Sequence, residues 1–135
     1  MQISTVLGNG MVLQREVQNP VWGYTRPGER VQLTIGEHHL ETQSDKDGYF
    51  EILLPSMKAG GPWEIRLWDT TDRYVFQDVL FGDVFLLGGQ SNMELPLSWI
   101  WDQVKEELAE VRNEQIRMFD LPKEYDFLKK RELLT

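Results

Sequence analysis

The chain has 135 residues, enough to bury a core, and 41% hydrophobic content with five Trp and six Phe excludes a disordered polypeptide. Its formal net charge of −8 argues against nucleic acid and anionic membrane as partners, since both require basic patches. With no cysteine there is no disulfide framework, no thiolate metal site and no mark of redox compartment. Neither a charged start followed by an apolar core nor a run of about 18 apolar residues occurs, so no secretory or membrane-spanning signal is read and a cytoplasmic location is expected.

Up to residue 83 the chain is a series of short alternating runs. Val31, Leu33 and Ile35 alternate with Gln32 and Thr34; Phe50, Ile52 and Leu54 form a second inward set, and Trp63, Ile65 and Leu67 a third. Turn chemistry separates them at Arg26-Pro27-Gly28, Asp45-Lys46-Asp47-Gly48, Ala59-Gly60-Gly61-Pro62 and Asp69-Thr70-Thr71-Asp72. This spacing predicts an antiparallel β-sandwich over residues 1–82 with those nine apolar side chains inside. His38 and His39 are the only histidines; adjacent on a strand, they point to opposite faces and cannot chelate from one side. Asp45-x-Asp47-Gly48 has the look of a calcium loop but lacks its further ligands, so a hairpin turn is expected. Trp22, Trp63 and Trp68 are candidates for a sugar platform, although alternation places Trp63 in the core and Trp22 in a packing role.

Near residues 76–82 alternation gives way to a continuous apolar run. Val84, Phe85, Leu86 and Leu87 read as a strand buried on both faces of a parallel sheet, followed by Gly88-Gly89 and then Gln90-Ser91-Asn92-Met93. A serine just past the carboxyl end of such a strand sits where open α/β sheets place their sites, and backbone N–H groups at a following helix start are positioned to hold an oxyanion. The nucleophile elbow Gly-x-Ser-x-Gly is not met, because Met93 occupies the second glycine position. Beyond Pro96, Trp101, Val104, Leu108 and Val111 recur at helical spacing, with Asp102, Glu106, Glu107 and Glu110 elsewhere, which predicts an amphipathic helix over 98–113. Residues 116–121, stopped by Pro122, read as a further strand. Strand, helix and strand make the opening of an α/β domain spanning 83–135; residues 124–135 are assigned no structure.

Gly89-Gln90-Ser91-Asn92-Met93 resembles the first sequence block of SGNH-type carbohydrate esterases, specifically the sialate O-acetylesterase-like group, in which Gln stands where other members carry Asp. Gly10-Met11-Val12-Leu13-Gln14-Arg15, Val21-Trp22-Gly23 with Pro27-Gly28-Glu29, Lys58-Ala59-Gly60-Gly61-Pro62 and Asp78-Val79-Leu80-Phe81-Gly82-Asp83-Val84 are similar to that family's amino-terminal module in the same order. The resemblance covers roughly residues 3 to 97. It implies a mainly β chain in which the antiparallel sandwich is followed by an incomplete SGNH α/β domain. It also implies Ser91 as the nucleophile and one backbone oxyanion donor, with Gln90 and Asn92 in supporting roles and no metal or cofactor. The implied substrate is an acetylated carbohydrate of the sialic acid or xylan type. The family's later blocks, a glycine and an asparagine that complete the oxyanion hole and an Asp-x-x-His segment that supplies the base, have no counterpart here. An unassisted serine is a weak nucleophile, so the expectation is the front part of an esterase, inactive alone, that associates with the remainder of its domain or with itself. The rival reading is a noncatalytic β-sandwich module that binds glycan or a partner.

Overall fold

In the computed structural model, which describes residues 1–89 and 91–120, the alternating runs pair into two facing sheets. β1 (Gln2–Ile3), β3 (Pro20–Tyr24) and β6 (Tyr49–Leu53) form one in the order β1-β3-β6. β2 (Val12–Gln14), β4 (Arg30–Ile35), β5 (His38–Gln43), β7 (Gly60–Trp68) and β8 (Arg73–Gly82) form the other in the order β2-β8-β7-β4-β5. The chain divides into two units, Met1–Asp83 with Arg117–Thr135 and Val84–Ile116.

The first unit owes its core to period-two alternation. Val31, Leu33 and Ile35 of β4 and Ile65 and Leu67 of β7 are buried, with Leu33 opposite Leu67 and Ile35 opposite Ile65. Val21, Phe50, Ile52 and Leu54 fill the space from the three-stranded side, and all belong to one apolar cluster. At about 1.5–3 kcal/mol for each large side chain taken out of water, this cluster is the main favourable contribution to the unit's stability.

Four details depart from the expected sandwich. β2 runs parallel to β8, pairing Val12, Leu13 and Gln14 with Leu80, Phe81 and Gly82, so the second sheet is mixed. Trp63 is half-buried, because the β7–β8 register slips between Trp63 and Ile65 and turns it out of the alternating set. The Asp45 turn joins β5 to β6, which lie in different sheets, and is therefore a sheet-crossing turn where a hairpin was expected. There Asp45 Oδ1 accepts from the backbone N–H groups of Asp47 and Tyr49, each at 2.9 Å. Gly60, Gly61 and Pro62, read as punctuation, open β7.

β8 breaks alternation for a visible reason. Phe76, Val79 and Phe81 are all buried, a spacing of three and then two. Asp78 takes up the extra residue with a left-handed φ of 57°, the conformation of a bulge. Arg117 braces that bulge: its Nη1 donates to the carbonyls of Gly10 (2.9 Å) and Asp78, and its Nη2 to the Asp78 carboxylate at 3.0 Å.

In the second unit the sequence expectations are corrected. Residues 84–87 form no strand, and Val84, Phe85, Leu86 and Leu87 are 52, 79, 87 and 70% exposed. A strand buried on both faces needs neighbouring strands and covering helices, and no described residue supplies a ladder there. The helix expected over 98–113 is a 3₁₀ turn, Leu97–Ile100, followed by α2 (Trp101–Glu110), numbered after the single turn α1 (Ser91–Glu94). Val104 and Leu108 give α2 a half-buried face, while Trp101 and Val111 stay exposed. Residues 116–120 form no strand; Leu121, the end of that expected strand, and residues 124–135 lie outside the described residues.

Candidate active site

Ser91 opens α1 and is exposed to solvent. Gln90 lies outside the described residues; Asn92 follows Ser91 within the same helical turn. The glycine pair before them has a packing reason. A Cβ on Gly89 would fall 2.3 Å from Met93 Cγ and 3.2 Å from Met93 Cβ, so loop and helix approach more closely than any larger residue permits. Met93, the residue that breaks the nucleophile-elbow pattern, is thus the one that closes against Gly89. The result is an exposed serine at the start of a helical turn whose leading N–H groups have no intrahelical acceptor, an arrangement suited to acyl transfer once a base is supplied.

The other sequence candidates resolve separately. His38 and His39 are exposed neighbours on β5, and the His39 ring meets Trp68 edge-on with centroids 5.8 Å apart. The guanidinium of Arg73 lies 6.0 Å over the same Trp68 ring. Trp22 packs against the apolar cluster, as expected. Among the described residues no group of three or more His, Asp or Glu is arranged to hold a metal ion.

One pair escaped the sequence reading. Arg15 Nε donates to Asp83 Oδ1 at 2.8 Å, and the Arg15 backbone N–H donates to the carbonyl of Gly82 at 2.9 Å. The hydrogen bond and charge of Asp83, joined by the charge of Glu16, raise the Arg15 pKa and hold the guanidinium firmly protonated. Arg15 and Asp83 close the two motifs that the parallel β2–β8 pairing brings together. The available signal was a pair of opposite charges, each ending an apolar run of similar phase.

Comparison with known proteins gives this arrangement a context. The sialate O-acetylesterase of Mus musculus is 31% identical over 131 residues, spanning 89% of this chain and 24% of that protein. Its counterpart in Homo sapiens is 34% identical over 117 residues, spanning 78% and 22%. The crystal structure of a carbohydrate acetylesterase from Xanthomonas citri matches with a TM-score of 0.84 at 34% identity, over 90% of this chain and 28% of that one. No family model matches. The chain spans about a quarter of the length of the curated relatives it matches. Related in sequence and in fold across most of its own residues, the chain belongs with the sialate O-acetylesterase-like carbohydrate esterases, of which it represents one portion.

Proposed function

We propose that this chain is the nucleophile-bearing portion of a serine carbohydrate O-acetylesterase of the SGNH type, with residues 1–82 as its sandwich and residues 83–135 as the opening of its catalytic domain. The observation that carries the reading is the placement of Ser91, exposed at the first residue of α1, immediately after a glycine pair closed down on Met93. In the complete site the Ser91 hydroxyl attacks the acetyl carbonyl while a base takes its proton. The Ser91 N–H is one donor to the oxyanion, and Gln90 and Asn92 support the loop. The sugar hydroxyl departs with a proton, and water then releases acetate from the acetyl-serine. Neither metal nor cofactor enters this scheme.

The base has no counterpart beside Ser91 in the sequence motifs, since His38 and His39 belong to the sandwich strand β5. This portion alone is accordingly inert, and the exposed apolar residues 84–87 form the surface on which the remainder of the domain, or a second copy, assembles. Acetylated sugars are the substrate class, with sialate and xylan esters both in reach. The test is acetate release by three samples: the 135-residue chain, the chain joined with the remainder of a homologous esterase domain, and that joined form carrying Ser91→Ala. Turnover by the second alone is expected. Removal of a member of such a constellation costs about 10⁴–10⁶ in rate, so robust turnover by the first sample or undiminished turnover by the third refutes the assignment.

A further inference from the structure

We propose that the sandwich carries a carbohydrate subsite of its own, a cleft of about 330 Å³ beside the β4–β5 turn, bounded by Pro62, Trp63, Thr34, Gly36, Glu64 and Arg66. Its volume falls at the small end of the ~300–1,000 Å³ typical of ligand pockets, which suits one sugar ring rather than an extended chain.

The walls divide by chemistry. Pro62 and the indole of Trp63 present apolar ring surface, against which the C–H face of a pyranose packs. Gly36 keeps that surface open, because a Cβ there would lie 3.0 Å from Trp63 Cζ3. The Thr34 hydroxyl, the Glu64 carboxylate and the Arg66 guanidinium supply the polar groups. Arg66 Nε donates to Glu64 Oε1 at 2.6 Å, so each orients the other, and the second carboxylate oxygen and the terminal guanidinium nitrogens face a ligand as ready acceptor and donors. The two charges cancel, which favours a neutral ring with adjacent hydroxyls over an acidic sugar.

A second observation points the same way. Trp63 Nε1 is, among the described residues, the buried side-chain polar atom with no acceptor. Buried indole N–H groups ordinarily find one, and a sugar hydroxyl seated against Trp63 answers that need. The choice of a sugar rests on the carbohydrate esterase reading above, but the readout below does not involve Ser91 or acetate, so either can fail alone.

The experiment is a titration of the ¹⁵N-labelled 135-residue chain with xylobiose. The five Trp residues give five indole N–H resonances, and Trp63→Phe assigns the one of interest. The Trp63 resonance is expected to shift saturably, with Glu64→Gln and Arg66→Leu each weakening binding about tenfold, the loss typical of one charge-assisted hydrogen bond. Both side chains are largely solvent-exposed, so the remaining spectrum reports that the variants stay folded. Val17→Thr, an exposed position outside the cleft, is expected to leave the titration unchanged. N-acetylneuraminic acid, being anionic, is expected to bind at least tenfold more weakly. A Trp63 resonance that stays still, a shift that survives both cleft substitutions, or equal binding of the acidic sugar overturns the proposal.

Discussion

Asp69, in the turn between β7 and β8, offers a test in which charge, hydrogen bonding and stability are separable. Its carboxylate is buried and accepts four hydrogen bonds: from the Thr25 hydroxyl (2.6 Å), the backbone N–H groups of Thr71 (2.8 Å) and Asp72 (2.7 Å), and the Thr71 hydroxyl (3.1 Å). Burial by itself raises the carboxyl pKa, but these donors outweigh it and lower the group to about 2. Because the folded value lies below the unfolded one of ~3.9, the stabilisation is fully present above pH ~4 and is lost as pH falls through 2. A shift of this size corresponds to about 2 kcal/mol. Asp69→Asn keeps the shape and removes the charge. Urea unfolding at pH 7, 5, 4 and 3 is expected to show the variant less stable by about 2 kcal/mol at pH 7, with the gap narrowed to about half at pH 3. Asp72, whose carboxylate is lowered chiefly by its hydrogen bond from the amino terminus, titrates in both proteins and drops out of the difference. A gap that is constant from pH 7 to pH 3 would refute the electrostatic account.

Leu67 is fully buried opposite Leu33, so Leu67→Ala is expected to cost ~2–5 kcal/mol in the same urea assay, and a cost under 1 kcal/mol would mean that the two sheets do not close on it. The exposed run at residues 84–87 is expected to drive concentration-dependent association of the isolated chain in sedimentation velocity, relieved by Phe85→Ser with Leu86→Ser; an ideal monomer at high concentration counts against it.

Burial was legible where alternation and packing are local properties of one strand. Val31, Leu33 and Ile35, and Phe50, Ile52 and Leu54, each carry their inward face in their own spacing, and all six are buried. Trp63 belonged to such a pattern by spacing alone; a slip in register with β8, which depends on a partner strand, moved it to the half-buried rim. β2 is only three residues long and pairs with residues near 80, a pairing no short window contains. Residues 84–87 have the composition of a doubly covered strand, but cover is a property of neighbours, and here the same side chains stand in solvent. For the candidate site, Ser91 and the glycine pair were visible as a motif, whereas the contact of Gly89 with Met93 needs the backbone path, and the Arg15–Asp83 pair needs the parallel ladder that joins positions 68 residues apart.

That ladder also dictates an order of events. Because β2 is laid along the final residues of β8, the sandwich cannot complete its second sheet until nearly all of it has left the ribosome, and pairings between distant positions are the slow ones, forming in milliseconds to seconds. Synthesis at about 5–20 residues per second delivers residues 84–116 over the following few seconds. Arg117 then reaches back across 107 positions to Gly10, so the bulge in β8 receives its brace only after the nucleophile segment has been made. During translation, the sheet that flanks Ser91 in sequence is therefore assembled first and locked last.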